Sequence, residues 1–144
     1  MKTMVLFVSA FMMVSGLFAN SVDVIAKTLY HEARGEGEIG LRAVATILHN
    51  RAIKANGKAT AELCAKEAKR KMQFSCWNGK KDLSTGKGDS WMLCVKIAKE
   101  IELGKFQKVH GHTHYYAFKK CNPKWAKGRA GLVIGNHKFL TVKG

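Results

Sequence analysis

Tyr30-His31-Glu32-Ala33-Arg34-Gly35-Glu36 is the stretch whose reading decides the fold. Looking back from Glu32, the apolar residues Leu29, Ile25 and Val22 recur at spacings of three, four and three, the inward stripe of an amphipathic helix. Glu32 extends that stripe, so a carboxylate stands where the period calls for an apolar side chain. Loss of hydration disfavours the charged form of a carboxylate and raises its pKa, the usual means of keeping a general acid protonated near neutral pH. The bland alternative is a helix that frays at Gly35, with Glu32 turned to water or paired with Arg34 or a lysine.

On the N-terminal side, Met1-Lys2-Thr3 is followed by the apolar run Met4 to Phe18, and Ala19 offers a small residue before Asn20. Residues 1–19 therefore read as a secretory signal cleaved after Ala19, leaving 20–144 as one domain, secreted, periplasmic or held at the cell wall. The apolar run is shorter than the roughly 20 residues that span a bilayer, so no stable membrane span is expected, a retained anchor being the alternative. Export agrees with the four cysteines, Cys64, Cys76, Cys94 and Cys121, an even count that suggests two disulfides. Three pairings are open; Cys64 with Cys76 and Cys94 with Cys121 are preferred because the first closes a short loop. Cys94 shares a helical face with Trp91, Ala98 and Ile101, which makes a buried free thiol the competing reading there.

The net charge is +15, and removal of Lys2 with the signal leaves one less, +14. Such an excess favours a polyanionic partner, and for an exported chain the cell wall ranks before nucleic acid or anionic lipid. About 125 residues suffice for one core and no second domain, and a monomer is expected. Helices come first and strands last. Ser21 is expected to cap a helix over Val22–Arg34, Gly35 to Gly37 to break it, and a second helix to cover Glu38–Ile53 with Leu41, Val44, Ala45 and Leu48 inward. Glu38 then favours the helix start electrostatically. Further helices are expected over about Thr60–Lys71 and Ser90–Leu103, and short strands over His114–Phe118 and Leu132–Val142.

Taken together, Glu32-Ala33-Arg34-Gly35-Glu36, Gly40, Ala43-Val44-Ala45, Asn50-Arg51, Gln73-Phe74-Ser75-Cys76-Trp77, Thr113-His114-Tyr115, Pro123, Trp125 and Gly135-Asn136-His137-Lys138-Phe139 resemble the catalytic domain of the SleB-type cell-wall hydrolases, in the family's motif order. The resemblance implies an α+β domain, mainly helical and lysozyme- or transglycosylase-like, with a small β element near the C-terminus. It also implies cleavage of peptidoglycan glycan strands, with the motif's first glutamate, Glu32, as the acid. His31 and Lys120-Cys121-Asn122 depart from the family pattern, and the peptidoglycan-binding repeat of the spore enzymes is missing from the sequence.

Most glycosidases need two carboxylates roughly 5 to 9.5 Å apart. Glu36 is the candidate partner for Glu32; without it, Glu32 alone can protonate the glycosidic oxygen and then help the muramic acid 6-hydroxyl attack its own anomeric carbon, which is lytic transglycosylation. Gln73, Ser75 and Asn78 are candidates for hydrogen bonds to sugars, Phe74 and Trp77 for stacking or for the core, and His114 and Tyr115 for contacts near the scissile bond. His137 is expected to be a hydrogen-bonded residue that closes the fold. No cofactor is called for. The rival reading places His110, His112 and His114 on one face of a strand as zinc ligands of an amidase or peptidase, without an accompanying acidic ligand motif. A nonenzymatic cationic wall binder rests on the charge alone.

Overall fold

The computed structural model describes residues 2–57, 60, 67–68, 71–72 and 74–143. Helix α1 covers Lys2–Ala33 and runs unbroken through Ser21, so the cap expected there is absent. The chain's single proline is Pro123, and nothing between Met4 and Ala33 forces a break. Among the described residues no helix is long and apolar enough to cross a membrane. The stripe Val22, Ile25 and Leu29 is buried as its period requires. After Ala33 the chain turns through Gly37, at a φ of 67°, into α2 (Gly37–Lys54). The expected inward face of α2, Leu41, Val44, Ala45 and Leu48, is fully buried. Helix α3 (Gly88–Glu102) buries Cys94, Ile97 and Ala98, and α1 packs against both α3 and α2.

Charged groups fix how these helices meet. Arg42 on α2 donates from Nη1 to Glu100 on α3 at 2.7 Å and from Nε to Glu38 at 2.9 Å, which gives Glu38 an ion-pair partner within its own helix. Lys27, only 6% exposed, pairs with Asp23 at 2.7 Å and with Asp82 at 3.0 Å, holding the loop before α3 onto α1. In that loop Gly86 lies between the rings of Tyr30 and Trp91, where any Cβ would collide with both.

The expected helix over Thr60–Lys71 is a correction. Residues 61–66 lie outside the described residues, but Glu67–Ala68 (β1) and Lys71–Met72 (β2) pair antiparallel as a minimal hairpin. Like charges at Lys66, Lys69 and Arg70, three and four apart, weaken a helix there. At the C-terminal end, β3 (His114–Tyr116), β4 (Leu132–Ile134) and β5 (His137–Leu140) form an antiparallel sheet in the order β3-β5-β4. The single strand expected over Leu132–Val142 is therefore folded in two, because Gly135 takes a positive φ of 57° in a two-residue turn with Asn136. Two side chains of α2 hold the segment that leads into β3: Asn50 donates to the carbonyls of His110 and His112, and Arg51 Nε to that of Thr113. Phe139 of β5 and Phe74 and Trp77, flanking a short 3-10 turn (Ser75–Trp77), join the helices in one buried cluster.

The expected bridge between Cys94 and Cys121 is not formed; Cys94 is buried inside α3 and Cys121 is exposed on a turn where its thiol faces the Ala117 carbonyl. Cys64, one half of the expected pair with Cys76, lies outside the described residues. Burial pushes the Cys94 thiol up to about 12. Alkylation of the native protein, mapped by peptide mass, is expected to label Cys121 rapidly and Cys94 only after unfolding, since the thiolate is the reactive form. Equal native labelling at both positions would refute this packing.

Candidate active site

A cleft of about 640 Å³ opens between the C-terminal end of α1, the 3-10 turn after Phe74 and strand β3. Glu32 comes from the last turn of α1, Ser75 and Asn78 from the 3-10 turn, and His114, Tyr115 and Tyr116 from β3. The stripe that buries Val22, Ile25 and Leu29 aims Glu32 inward and leaves it half-buried in the cleft. Its two oxygens are separately held: Oε2 accepts the Tyr115 hydroxyl at 2.5 Å, and Oε1 accepts the Cys76 backbone N–H at 3.3 Å. Burial, together with the neighbouring Glu32, keeps the Tyr115 phenol protonated far above the usual range, so it acts as the donor of this pair. Tyr115 is itself wedged between Phe139, stacked at 5.8 Å, and Phe74, at 6.4 Å.

Glu36 does not join Glu32 in the cleft. Its Oε2 accepts the Asn136 backbone N–H at 2.9 Å and its Oε1 the Asn136 side-chain amide at 3.0 Å, clasping the turn of the β4–β5 hairpin. A Cβ at Gly40 or at Gly135 would collide with the Glu36 side chain, so both glycines make room for it. Burial alone would raise the Glu36 carboxyl, but the two Asn136 hydrogen bonds, helped by His137 and Lys119, hold it below the ordinary range. The arrangement makes Glu36 a structural acceptor.

The remaining candidates divide. Ser75, His114 and Tyr115 line the cleft with Glu32, and Asn78 does too. Gln73 lies outside the described residues. Trp77 is 4% exposed and donates its indole N–H to Thr28 at 2.9 Å, which makes it a core residue and removes it from the sugar-stacking set. Phe74, 2% exposed, is equally buried although it also borders the cleft. The aromatic surface open to a ligand is instead Trp125, 40% exposed, set at right angles to Tyr116 at 5.7 Å and tilted against His114 at the same distance. The signal for it was present in the sequence, a tryptophan among lysines and glycines after Pro123 with no apolar period to bury it. Arg51, a further cleft residue, places its guanidinium over Phe74 at 5.4 Å.

The histidine run takes a different shape from the expected strand, which begins only at His114. His110 donates from Nε2 to the Ala43 carbonyl and accepts the His112 N–H on Nδ1, while His112 meets Thr141 and His114 meets Thr113. Among the described residues no three His, Cys, Asp or Glu side chains converge as a metal-binding group.

Residues 35–140 match the family model described as Cell Wall Hydrolase, a span that starts three residues after Glu32. No curated protein and no solved structure matches the chain.

Two outcomes follow from this geometry. Tyr115→Phe removes one of the two groups that orient Glu32 while keeping the ring's packing, so activity on cell walls is expected to fall about 10- to 100-fold with little change in melting temperature. For Glu36, a depressed folded pKa means its stabilisation is fully present above the ordinary value of about 4.5 and is lost as pH falls through the lower folded value. Acid unfolding of Glu36→Gln should lack that contribution, and a Glu36→Gln protein as stable as the parent at pH 7 would contradict the clasp.

Proposed function

We propose that this chain, which belongs to the cell wall hydrolase family, cleaves the glycan strands of peptidoglycan with Glu32 as its general acid. Membership makes it a peptidoglycan hydrolase that acts on the cell wall. The choice of glycosidic rather than peptide bonds is our reading, and one observation carries it: Glu32 is the one acidic side chain among the described residues lining the cleft, and both its oxygens are oriented by fixed donors.

In this reading Glu32 gives its proton to the glycosidic oxygen as the bond to the anomeric carbon breaks. The carboxylate left behind then takes the proton of the oxygen that attacks that carbon. With Glu36 engaged by Asn136, no second carboxylate among the described residues lines the cleft to act as nucleophile or base from the opposite side. That favours the intramolecular route, in which the muramic acid 6-hydroxyl attacks and an anhydro sugar results. Tyr115 and the Cys76 N–H keep the carboxyl in register through both proton transfers. Trp125 and Tyr116 supply faces for the apolar side of a pyranose, and Ser75 and Asn78 supply hydrogen bonds to its hydroxyl and acetamido groups. We further propose that residues 1–19 direct export, and that the basic surface holds the enzyme on its anionic substrate.

Glu32→Gln keeps the size and most of the hydrogen bonding while removing the transferable proton, and is expected to lower glycan cleavage about 100-fold or more without unfolding the protein. Mass spectrometry of digested peptidoglycan should find anhydro-muramic ends. Reducing ends would indicate hydrolysis by the same acid, and free stem peptides with intact glycan would replace this reading with an amidase.

A further inference from the structure

His137 opens β5 and lines the cleft that also holds Glu32 and Tyr115, and it is 7% exposed. Its ring meets that of Tyr115 edge-on at 5.3 Å and that of Phe139 at 6.2 Å. The sequence suggested a hydrogen-bonded residue closing the fold. The structure differs: Nδ1 of His137 is the one buried side-chain nitrogen or oxygen among the described residues that has no hydrogen-bond partner. Other buried polar groups here are satisfied, Thr28 by Val24 and Trp77, and Asn50 by the His110 and His112 carbonyls.

A buried nitrogen without a partner weakens a fold, and a phenyl ring in the same place would fill the same space without that cost. Packing therefore does not account for an imidazole at this position. Its surroundings suit a neutral ring: burial disfavours the imidazolium most, and Lys120 acts in the same direction, together outweighing the opposing pull of Glu36 and Glu32. A neutral imidazole offers one N–H and one lone pair. Sugar hydroxyl and acetamido groups offer the complementary pair.

We propose that the imidazole of His137 is a sugar-contacting group, and that a hydroxyl or acetamido group of the glycan, directly or through one trapped water, makes the hydrogen bond that Nδ1 lacks. This rests on the glycan-cleaving reading. His137 shares the cleft with Glu32 and its ring meets that of Tyr115, which bonds Glu32, so the sugar it touches lies in the cleft where Glu32 would act. Gly135 and Asn136, held by Glu36, set where the imidazole enters the cleft.

The test uses Glu32→Gln protein, which binds without cleaving, titrated with a tetrasaccharide of alternating N-acetylglucosamine and N-acetylmuramic acid. Kd and melting temperature are compared with His137 intact, with His137→Phe and with His137→Gln. Phenylalanine is expected to leave the melting temperature unchanged or raised and to weaken binding about 3- to 10-fold, the worth of one net hydrogen bond. Glutamine, with a donor and an acceptor, should recover part of the affinity. Undiminished affinity in the phenylalanine protein would overturn the inference while leaving the glycan reading intact. If that protein does not fold, glutamine decides: weakened binding with an unchanged melting temperature supports the contact, and a lowered melting temperature with unchanged binding overturns it. Failure of the tetrasaccharide to bind with His137 intact would sink the glycan reading, and this inference with it.

Discussion

The hydrogen bond from Tyr115 to Glu32 spans 83 residues of sequence and joins the two parts of the molecule that are otherwise most different, the helical layer and the small sheet. Its origin is the helical period. A stripe that buries Val22, Ile25 and Leu29 carries the next position on that face inward, and that position holds a carboxylate. A half-buried carboxyl needs donors that the helix cannot give, since the backbone N–H groups near it are already used within α1. One comes from the Cys76 backbone and the other from Tyr115, and both require distant segments to be delivered to the end of α1. Phe74 and Phe139 on either side of the Tyr115 ring fix the approach of its hydroxyl, so apolar packing sets the orientation of the polar pair.

The parts of this arrangement that follow from periodicity were legible in the sequence. The inward faces of α1 and α2 are those the spacing of apolar residues indicated, and Glu32 lies where that spacing put it. What depends on contacts between distant segments was not. Trp77 sits in a motif that also supplies Ser75 to the cleft, yet its indole is sealed by Thr28, a bond between residues 49 apart that no local pattern announces. Residues 132–142, by contrast, carry a local mark of their division, Gly135-Asn136 between two apolar runs, and it is there that the positive φ of Gly135 folds the strand back. The extension of α1 back to Lys2 shows the limit of local capping rules, for a serine starts a helix only if the residues before it do something else.

The charge of the chain also gains meaning from where its acids are placed. Of ten acidic residues, Asp23, Glu32, Glu36, Glu38, Asp82, Glu100 and Glu102 each hold a named partner through an ion pair or hydrogen bond. Most of the acids are thus tied to partners within or between elements, while most lysines of described exposure face solvent. A net charge of +15 therefore rests on exposed lysines that outnumber the exposed acids, Glu38, Asp82 and Asp89 among them.

Glu36 shows that spacing in sequence is a poor guide to which side chains share a cleft. It lies four residues from Glu32, the distance at which two side chains of one helix meet, but α1 ends at Ala33 and the turn through Gly37 redirects the chain. The carboxylate then reaches Asn136, and the absence of side chains at Gly40 and Gly135 lets helix and hairpin close upon it. Four motif residues from two distant segments, Glu36 with Gly40 and Gly135 with Asn136, thereby form a single joint. A carboxylate holding two hydrogen bonds at such a joint is poorly suited to accept a proton or attack a carbon, because either act would loosen the hairpin that carries His137 into the cleft. The same joint that ties helix to hairpin keeps the Glu36 carboxylate on Asn136 and out of the cleft that Glu32 lines.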